Sequence, residues 1–537
     1  MPKKWTVWAL CGAISFTTLV TGCSSVGTDT GGTDKQQAND KPMLPIPNGS
    51  VTLRYATYDN LYEPASYTQN LPVWQEIEKR TGVKIKWEVA VADQYKQAIQ
   101  VKLAAASDLP DIFSLPDPDP VKLAGNGLLM PLDDLIKKYA PNIEKFLKEN
   151  PDLHSLMKSS DGKMYALPNI VKGYAQTDPY GLFIRKDWLD KYGLSEPKTL
   201  DDWYIALKTF QEKDANGNGI KDEVFLPNFT LRGLYPFGSA LGLHLFFSAG
   251  FFPDDKGKVQ YEFLDDRMKQ LVTWLNKLYA EGLINKSFMT DTRNDILAKV
   301  TKNIAGASIR SLNNVNRYNS LQKEAGLASV NWTMTLPPSG PGYKGNYERY
   351  GPFDGWHGIS KDSKNPEVAI QWLDYIYASE EGNRILSFGI EGKSYSIVNG
   401  EPALSDWVTK NPDGLSLDIA LRSIGAMPTT VWLTNDKGFT SKLPQAQIKV
   451  SPVADLAKKV EPYLTDANPF AMPSISEMEQ IGSLQTDINT YVDEMMAKFI
   501  TGQEPINWDK FKSTLKSMGI DQIIAVKQKQ YDRFKQK

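Results

Sequence analysis

Residues 50–57, "SVTLRYAT", and 72–89, "PVWQEIEKRTGVKIKWEV", decide the fold class of this chain. In the first, Val51, Leu53 and Tyr55 alternate with Thr52 and Arg54, the period-two pattern of a strand. In the second, Pro72 suits a helix start, where its missing N–H is not needed. Trp74, Ile77 and Glu78 follow at helical spacing, and Gly82 can end the helix in the left-handed region. Val83, Ile85, Trp87 and Val89 then alternate again. A second helical stretch, "DQYKQAIQVKLAAASD" (93–108), leads to the strand-like "DIFSL" (111–115). Strand, helix, strand, helix, strand is the pattern of a parallel α/β sheet. Ligands of such sheets bind at loops beyond the carboxyl ends of the strands. Those loops are "TYDNLYEP" (57–64) and "PDPDP" (116–120), which makes Tyr58, Asp59 and Asp117 candidate ligand contacts.

Towards the N-terminus, "MPKKWTVWALCGAISFTTLVTGC" (1–23) has a basic start, Lys3 and Lys4, and an apolar run of signal-peptide length. It is too short for a comfortable membrane span. Its end, "LVTGC", resembles a bacterial lipobox. That resemblance implies cleavage after Gly22 and a diacylglycerol on the Cys23 sulfur. The chain has only two cysteines, Cys11 and Cys23, so the processed protein would hold no disulfide pair and would rely on its core or a metal. Residues 23–49 are Gly/Thr/Ser/Asp-rich and read as a tether. The 537 residues suffice for two or three domains. A formal charge of −2 supplies no field for nucleic acid, and no nucleic-acid-binding motif is present.

Beyond residue 130 the chain reads as mostly helical, with short extended pieces at "YGLFIR" (180–185) and "ASVNWTMTLP" (328–337). "EVAIQWLDYIYAS" (367–379) is an amphipathic helix, with Ala369, Trp372, Leu373, Ile376 and Tyr377 on one face. The chemically explicit stretch is "DANGNGIKDE" (214–223). It offers hard oxygen ligands on alternate residues, which suit calcium rather than zinc. Asp214, Asn216 and Asn218 fit positions one, three and five of an EF-hand loop. Gly219 fits the turn, the Ile220 carbonyl position seven, and Asp222 position nine. Position twelve is Phe225 instead of a bidentate glutamate, and Glu223 comes two residues early. A metal-free Asx/Gly turn is the alternative. A calcium sensor needs paired helices, and this loop is isolated, so calcium would serve as a strut.

Four segments carry a family resemblance: "GLLMPLDDLIKKYAPNI" (127–143), "DGKMYALPN" (161–169), "YGLFIRKDWLDKYGLSEPKTLDDW" (180–203) and "AIQWLDYIYASEEGNRILSFGIEGKSYSIVNG" (369–400). In this order, behind a lipobox and with the acidic loop, they resemble the extracellular solute-binding proteins that feed ABC importers, most closely the alginate-oligosaccharide-binding branch. The resemblance implies a two-lobe α/β fold with a ligand cleft and hinge closure. It implies a monomeric binding protein, not an enzyme, held by its lipid on the extracellular face of the cell membrane. Its partners would be an oligosaccharide, possible uronates included, and the importer's permease subunits. The lobes would be discontinuous: 50–172 and 338–396 in the N-lobe, 173–337 and mainly 397–537 in the C-lobe. In the alginate-binding relatives the acidic loop is a structural calcium site, which carries over to Asp214, Asn216, Asn218, Ile220, Asp222 and Glu223.

Sugar binding needs flat aromatic faces and hydrogen-bonding side chains. Of 13 Trp and 24 Tyr, Trp74, Trp87, Trp188, Trp203, Trp274 and Trp372 sit in periodic segments and read as core. "YERYGPFDGWHG" (347–358) lies at the expected return between lobes and offers Tyr350, Trp356 and His357, with Trp356 as first choice for stacking. Asn169 and Tyr174 fall at the first crossing, Arg310 in "GASIRSLNN" (306–314), and Tyr395 at a third crossing. Arg232, Arg310 and Arg349 could pair with uronate carboxylates. Two other readings remain open. One is a surface-tethered carbohydrate-active enzyme, because paired carboxylates leave no sequence trace. The other is a receptor for peptide or another solute on the same fold. There is no GxSxG or HExxH motif, and "SFGIEGKS" (387–394) has Ser387 where a phosphate loop needs its first glycine.

Overall fold

In a computed structural model, the chain is described over residues 44–46, 51–59, 65–116, 120–171, 433–434, 453–466 and 469–536. It is also described over 179–427, apart from 229, 313, 328, 350–352, 414 and 416. Cys23, Asp117, Tyr174 and Tyr350 lie outside the described residues. In chain order the strands are β1 (Val51–Tyr58), β2 (Val83–Ala90), β3 (Ile112–Ser114), β4 (Leu167–Val171), β5 (Tyr180–Arg185) and β6 (Val224–Leu226). Next come β7 (Phe251–Pro253), β8 (Val259–Tyr261), β9 (Ala305–Ser311), β10 (Trp332–Met334) and β11 (Tyr347–Arg349). The last are β12 (Phe353–Ile359), β13 (Tyr395–Val398), β14 (Glu401–Leu404), β15 (Leu433–Thr434) and β16 (Leu464–Asp466).

The expected opening pattern is present. Helix Pro72–Thr81 starts on its proline and ends at Gly82, whose φ is 69°. The Gly82 N–H donates to Glu78 O at 2.8 Å, closing the helix. A Cβ at Gly82 would lie 2.1 Å from the Ile46 carbonyl oxygen, so the close approach as well as the turn demands glycine. β1 pairs in parallel with β2 and β3 in a six-stranded sheet ordered β15-β4-β12-β3-β1-β2, in which β12 runs antiparallel to both neighbours. A second, four-stranded sheet is ordered β10-β5-β9-β6.

Each sheet has its own apolar core. The first gathers Leu53, Tyr55, Trp74, Ile112, Trp356 and Trp372. The second gathers Phe183, Trp203, Phe225, Phe237, Leu271, Ile309 and Trp332, together with Ile488, Val492 and Phe499 from the long helix Ile475–Thr501. These two cores, with a smaller cluster of Tyr95, Ile99, Phe113 and Leu129 beside the first sheet, give the two-lobe α/β architecture expected. Helix Pro366–Ala378 is buried more fully than a one-sided helix: Ile370, Gln371 and Asp374 are covered along with the expected face.

The stretch after Tyr395 departs from expectation. Tyr395, Val408, Ala420, Leu421, Ile424 and Leu433 all pack in the first core, and β15 extends the first sheet. The cause is an apolar face on helix Leu417–Ser423 that docks beside helix Pro72–Thr81, where the Val73 N–H donates to Ile424 O at 3.0 Å. Val460, Phe470, Ile481, Ile488, Phe499, Phe511 and Ile523 pack in the second core, while Met472 packs against the first.

Candidate functional site: the edge between two sheets

In the first sheet β1, β3 and β4 run parallel, so Tyr58, Ser114 and Val171 end at one edge, beside the start of β12 at Phe353. In the second sheet β6 and β9 are parallel and β5 is antiparallel to β9, so Leu226, Ser311 and Tyr180 share an edge. Two of the chain's three passages between the lobes run from Val171 to Tyr180 and from Arg349 to Phe353. These passages join the two edges, which is where open α/β sheets hold ligands.

A cavity of about 330 Å³ opens at the second sheet's edge. Tyr180, Phe246 and Phe247 supply an aromatic wall, with Tyr180 5.8 Å and 5.4 Å from the two phenylalanine ring centres. Arg232, Tyr235 and Asp493 supply polar groups. Arg232 and Asp493 are near enough for their charges to interact. The Tyr235 hydroxyl is buried and has no hydrogen-bond partner among the described residues; burial pushes its phenol well up. An unmatched buried hydroxyl beside a cavity is a group that a ligand can satisfy.

The chain leading into the 3₁₀ helix that bears Arg232 is locked from below. The Asn228 side-chain amide donates to Ser308 Oγ at 2.8 Å and Ile309 O at 2.9 Å, pinning this segment to β9. Thr230 has φ of 55°, an uncommon conformation for a β-branched residue and one that clusters at ligand clamps.

The residues predicted from sequence are scattered by the fold. Tyr58 is half-buried at the end of β1, 6.1 Å from the ring of Tyr95. The Asp59 carboxylate accepts from Ser66 Oγ at 2.8 Å and from the Tyr67 N–H at 3.1 Å, so it braces its own loop. Asn169 lies on β4 under Gly355, and Arg310 lies on β9 opposite Gly181. The fold places Trp356, His357 and Tyr395 in the core. Trp356 is 4% exposed and packs edge-on to Phe353. His357 is fully buried, its Nδ1 2.7 Å from the Tyr55 hydroxyl and 3.0 Å from Ser114 Oγ. Burial pushes His357 down to about 3. Tyr395 is covered by Phe388 at 5.8 Å.

The reason is that "FDGWHGI" (353–359) is not a loop. β12 is an inner strand between β4 and β3, covered on both faces, with a bulge between Asp354 and Trp356 where Gly355 takes φ of 74°. Its glycines hide the strand. The residues missed carry weak signals. Phe246 and Phe247 lie in "LHLFFSAG" (243–250), an apolar run without period, and Tyr235 in a 3₁₀ helix, Thr230–Leu241, interrupted by Pro236.

The 214–223 loop folds on itself through its own oxygens. Asp214 accepts from the N–H groups of Asn218 at 3.1 Å and Gly219 at 2.8 Å. Asn218 Oδ1 accepts from the Ile220 N–H at 2.7 Å, and Glu223 Oε1 from the Asn216 N–H at 2.9 Å. Glu223 is 1% exposed and its Oε2 has no partner. Burial, helped by Asp222 and Asp214, pushes its pKa up. A buried, unmatched carboxylate oxygen among carboxylate and amide oxygens fits a hard cation. Among the described residues no group of three His, Cys, Asp or Glu side chains is gathered tightly enough to hold a metal by itself, so amide and carbonyl oxygens would have to complete such a site.

Comparison with known proteins agrees with the two-lobe reading. The bacterial extracellular solute-binding protein family matches residues 62–383, and the chain belongs to that family, whose members are binding proteins and not enzymes. A domain of unknown function matches residues 478–536. The fructooligosaccharide ABC transporter substrate-binding protein FusA of Streptococcus pneumoniae is 28% identical over 90% of this chain and 90% of its own. The alginate-binding protein AlgQ2, solved without calcium ion, superposes with a TM-score of 0.73 at 24% identity, over 92% of this chain and 98% of that one. An S. pneumoniae FusA EF-hand mutant in complex with fructo-nystose superposes with a TM-score of 0.72 at 23% identity, over 90% of this chain and 99% of that one. Among the described residues no helix is long and apolar enough to cross a membrane.

Proposed function

We propose that this protein captures an oligosaccharide between its lobes and delivers it to the permease subunits of an ABC importer. One lobe would comprise residues 51–171 and 353–434, the other 180–349 and 453–536. The observation that carries the reading is the aromatic-walled cavity with the unmatched Tyr235 hydroxyl, lined by second-lobe residues beside Tyr180, where the chain arrives from the first sheet. Aromatic faces stack on sugar C–H groups and the buried hydroxyl supplies direction. Of the arginines considered for a uronate, Arg349 is engaged by Asp466 and Arg232 faces Asp493, which favours an uncharged oligosaccharide. A lipid on Cys23 would hold the protein at the membrane, consistent with the lipobox. Calcium at Asp214, Asn216, Asn218, the Ile220 carbonyl, Asp222 and Glu223 would act as a strut, supplying the positive charge that the buried Glu223 carboxylate lacks.

The test is intrinsic tryptophan fluorescence of residues 24–537, titrated with neutral and uronate-containing oligosaccharides, with the sugars analysed afterwards. Saturable binding of intact neutral sugar is expected. Shortened products would overturn the reading in favour of an enzyme, and no response to any sugar would move it to another solute.

A further inference from the structure

Phe246 and Phe247 sit in an irregular loop whose N–H groups no strand satisfies, with Phe246 buried and Phe247 half-buried. The group that satisfies them is Glu348. Its carboxylate, on a residue 6% exposed, accepts from the N–H of Phe246 at 2.8 Å through one oxygen. The other oxygen accepts from Phe247 and Ser248, each at 2.8 Å. Three consecutive N–H groups converging on one carboxylate form an anion nest, here filled by the protein itself. A buried N–H left without that partner is strongly disfavoured.

Glu348 belongs to β11, the strand from which the chain leaves for the first sheet. Its neighbours fasten that strand on both sides: the Tyr347 hydroxyl accepts from the Leu182 N–H on β5 at 3.0 Å, and Arg349 binds Asp466 on β16. The two phenylalanines in turn bracket Tyr180, where the chain arrives from the first sheet. We propose that Glu348 is a positioning residue for ligand binding: it holds the Phe246–Phe247 wall of the cavity in place and ties that wall to two of the chain passages between the lobes. The ligand role rests on the oligosaccharide reading above; the mechanical role does not.

Two readouts test it, with Glu348→Gln and with Glu348→Asp, which keeps the buried charge and the fold but withdraws the carboxylate by one methylene. First, without ligand, amide hydrogen exchange at residues 246–248 should accelerate about tenfold or more in either variant, while amides of β5 stay protected. Unchanged exchange at 246–248 would overturn the proposal. Second, for a sugar that binds the wild type, either variant should weaken affinity about tenfold, the loss expected when a charge-assisted hydrogen bond that shapes the site is broken. Combined with Phe247→Leu the losses should be far less than multiplicative, because Glu348 acts through that ring. Multiplicative losses would reduce Glu348 to a general structural role and overturn it. Failure of every sugar to bind the wild type would overturn the proposed function, and the exchange experiment would still decide the pin.

Discussion

The 214–223 loop and the 347–358 stretch both look, as letters, like binding sites, and the structure treats them differently. In the loop, the chain's own spacing puts Asp214, Asn218 and Glu223 oxygens around a common turn, and the contacts run over two to seven residues. In the stretch, His357 answers to Tyr55 and Ser114 and the Trp356 carbonyl to the Leu115 N–H, all far away in sequence, and both residues are drawn into the core. A loop held by contacts local in sequence keeps in the structure the turn that its spacing suggests. An aromatic cluster carries no such guarantee, because the same rings serve packing equally well.

The sharpest way to break this contrast is Trp356→Ala. As a core residue it should destabilise the protein by about 3–5 kcal/mol in urea or thermal unfolding, with sugar affinity of the folded fraction unchanged. The milder Trp356→Phe, if it abolished sugar binding at unchanged stability, would return Trp356 to the site.

His357 gives the next largest effect, through pH. Its pKa is depressed to about 3 when folded, against about 6.5 unfolded. Between these values the unfolded state holds the extra proton. The stabilising contribution is therefore complete above about pH 6.5 and is lost as pH falls towards 3, at up to about 1.4 kcal/mol per pH unit. Thermal melts from pH 7 to 4 should show this slope, and His357→Gln should flatten it. A slope indifferent to His357→Gln would mean the ring is not buried as described.

For the loop, chelation should lower the melting temperature by several degrees, equivalent to about 2 kcal/mol for a site saturated about thirtyfold over its Kd. Glu223→Gln should blunt that response. Sugar binding lost in chelator, with the fold intact, would contradict a strut and make the loop part of the site. The smallest effect is expected at Arg349, whose partner Asp466 is largely exposed. Arg349→Ala should cost less than about 1 kcal/mol and leave sugar affinity unchanged; selective loss of uronate binding would reopen the acidic ligand.

The opening of the fold was legible because its signals are local. Pro72 and Gly82 bracket one helix, and period-two alternation marks β1 and β2, with no distant partner needed to interpret them. β12 was not legible, because an inner strand covered on both faces need not alternate, and its glycine bulge mimics a turn. The cavity was hidden for a related reason. Tyr180, Tyr235, Phe247 and Asp493 lie hundreds of residues apart at the extremes, on a strand start, a 3₁₀ helix, a loop and a long helix.

By itself, then, the amino-acid sequence determined the α/β class, the two-lobe family and the oxygen-rich loop, since periodicity, turn residues and short spacings act within a few residues along the chain. Only the tertiary structure decided which aromatic rings line a cavity and which fill a core, and that Glu348 reaches back about a hundred residues to hold Phe246, Phe247 and Ser248. Burial is a property of three-dimensional neighbourhood, and the same apolar side chain gains as much from packing in a core as from waiting beside a ligand.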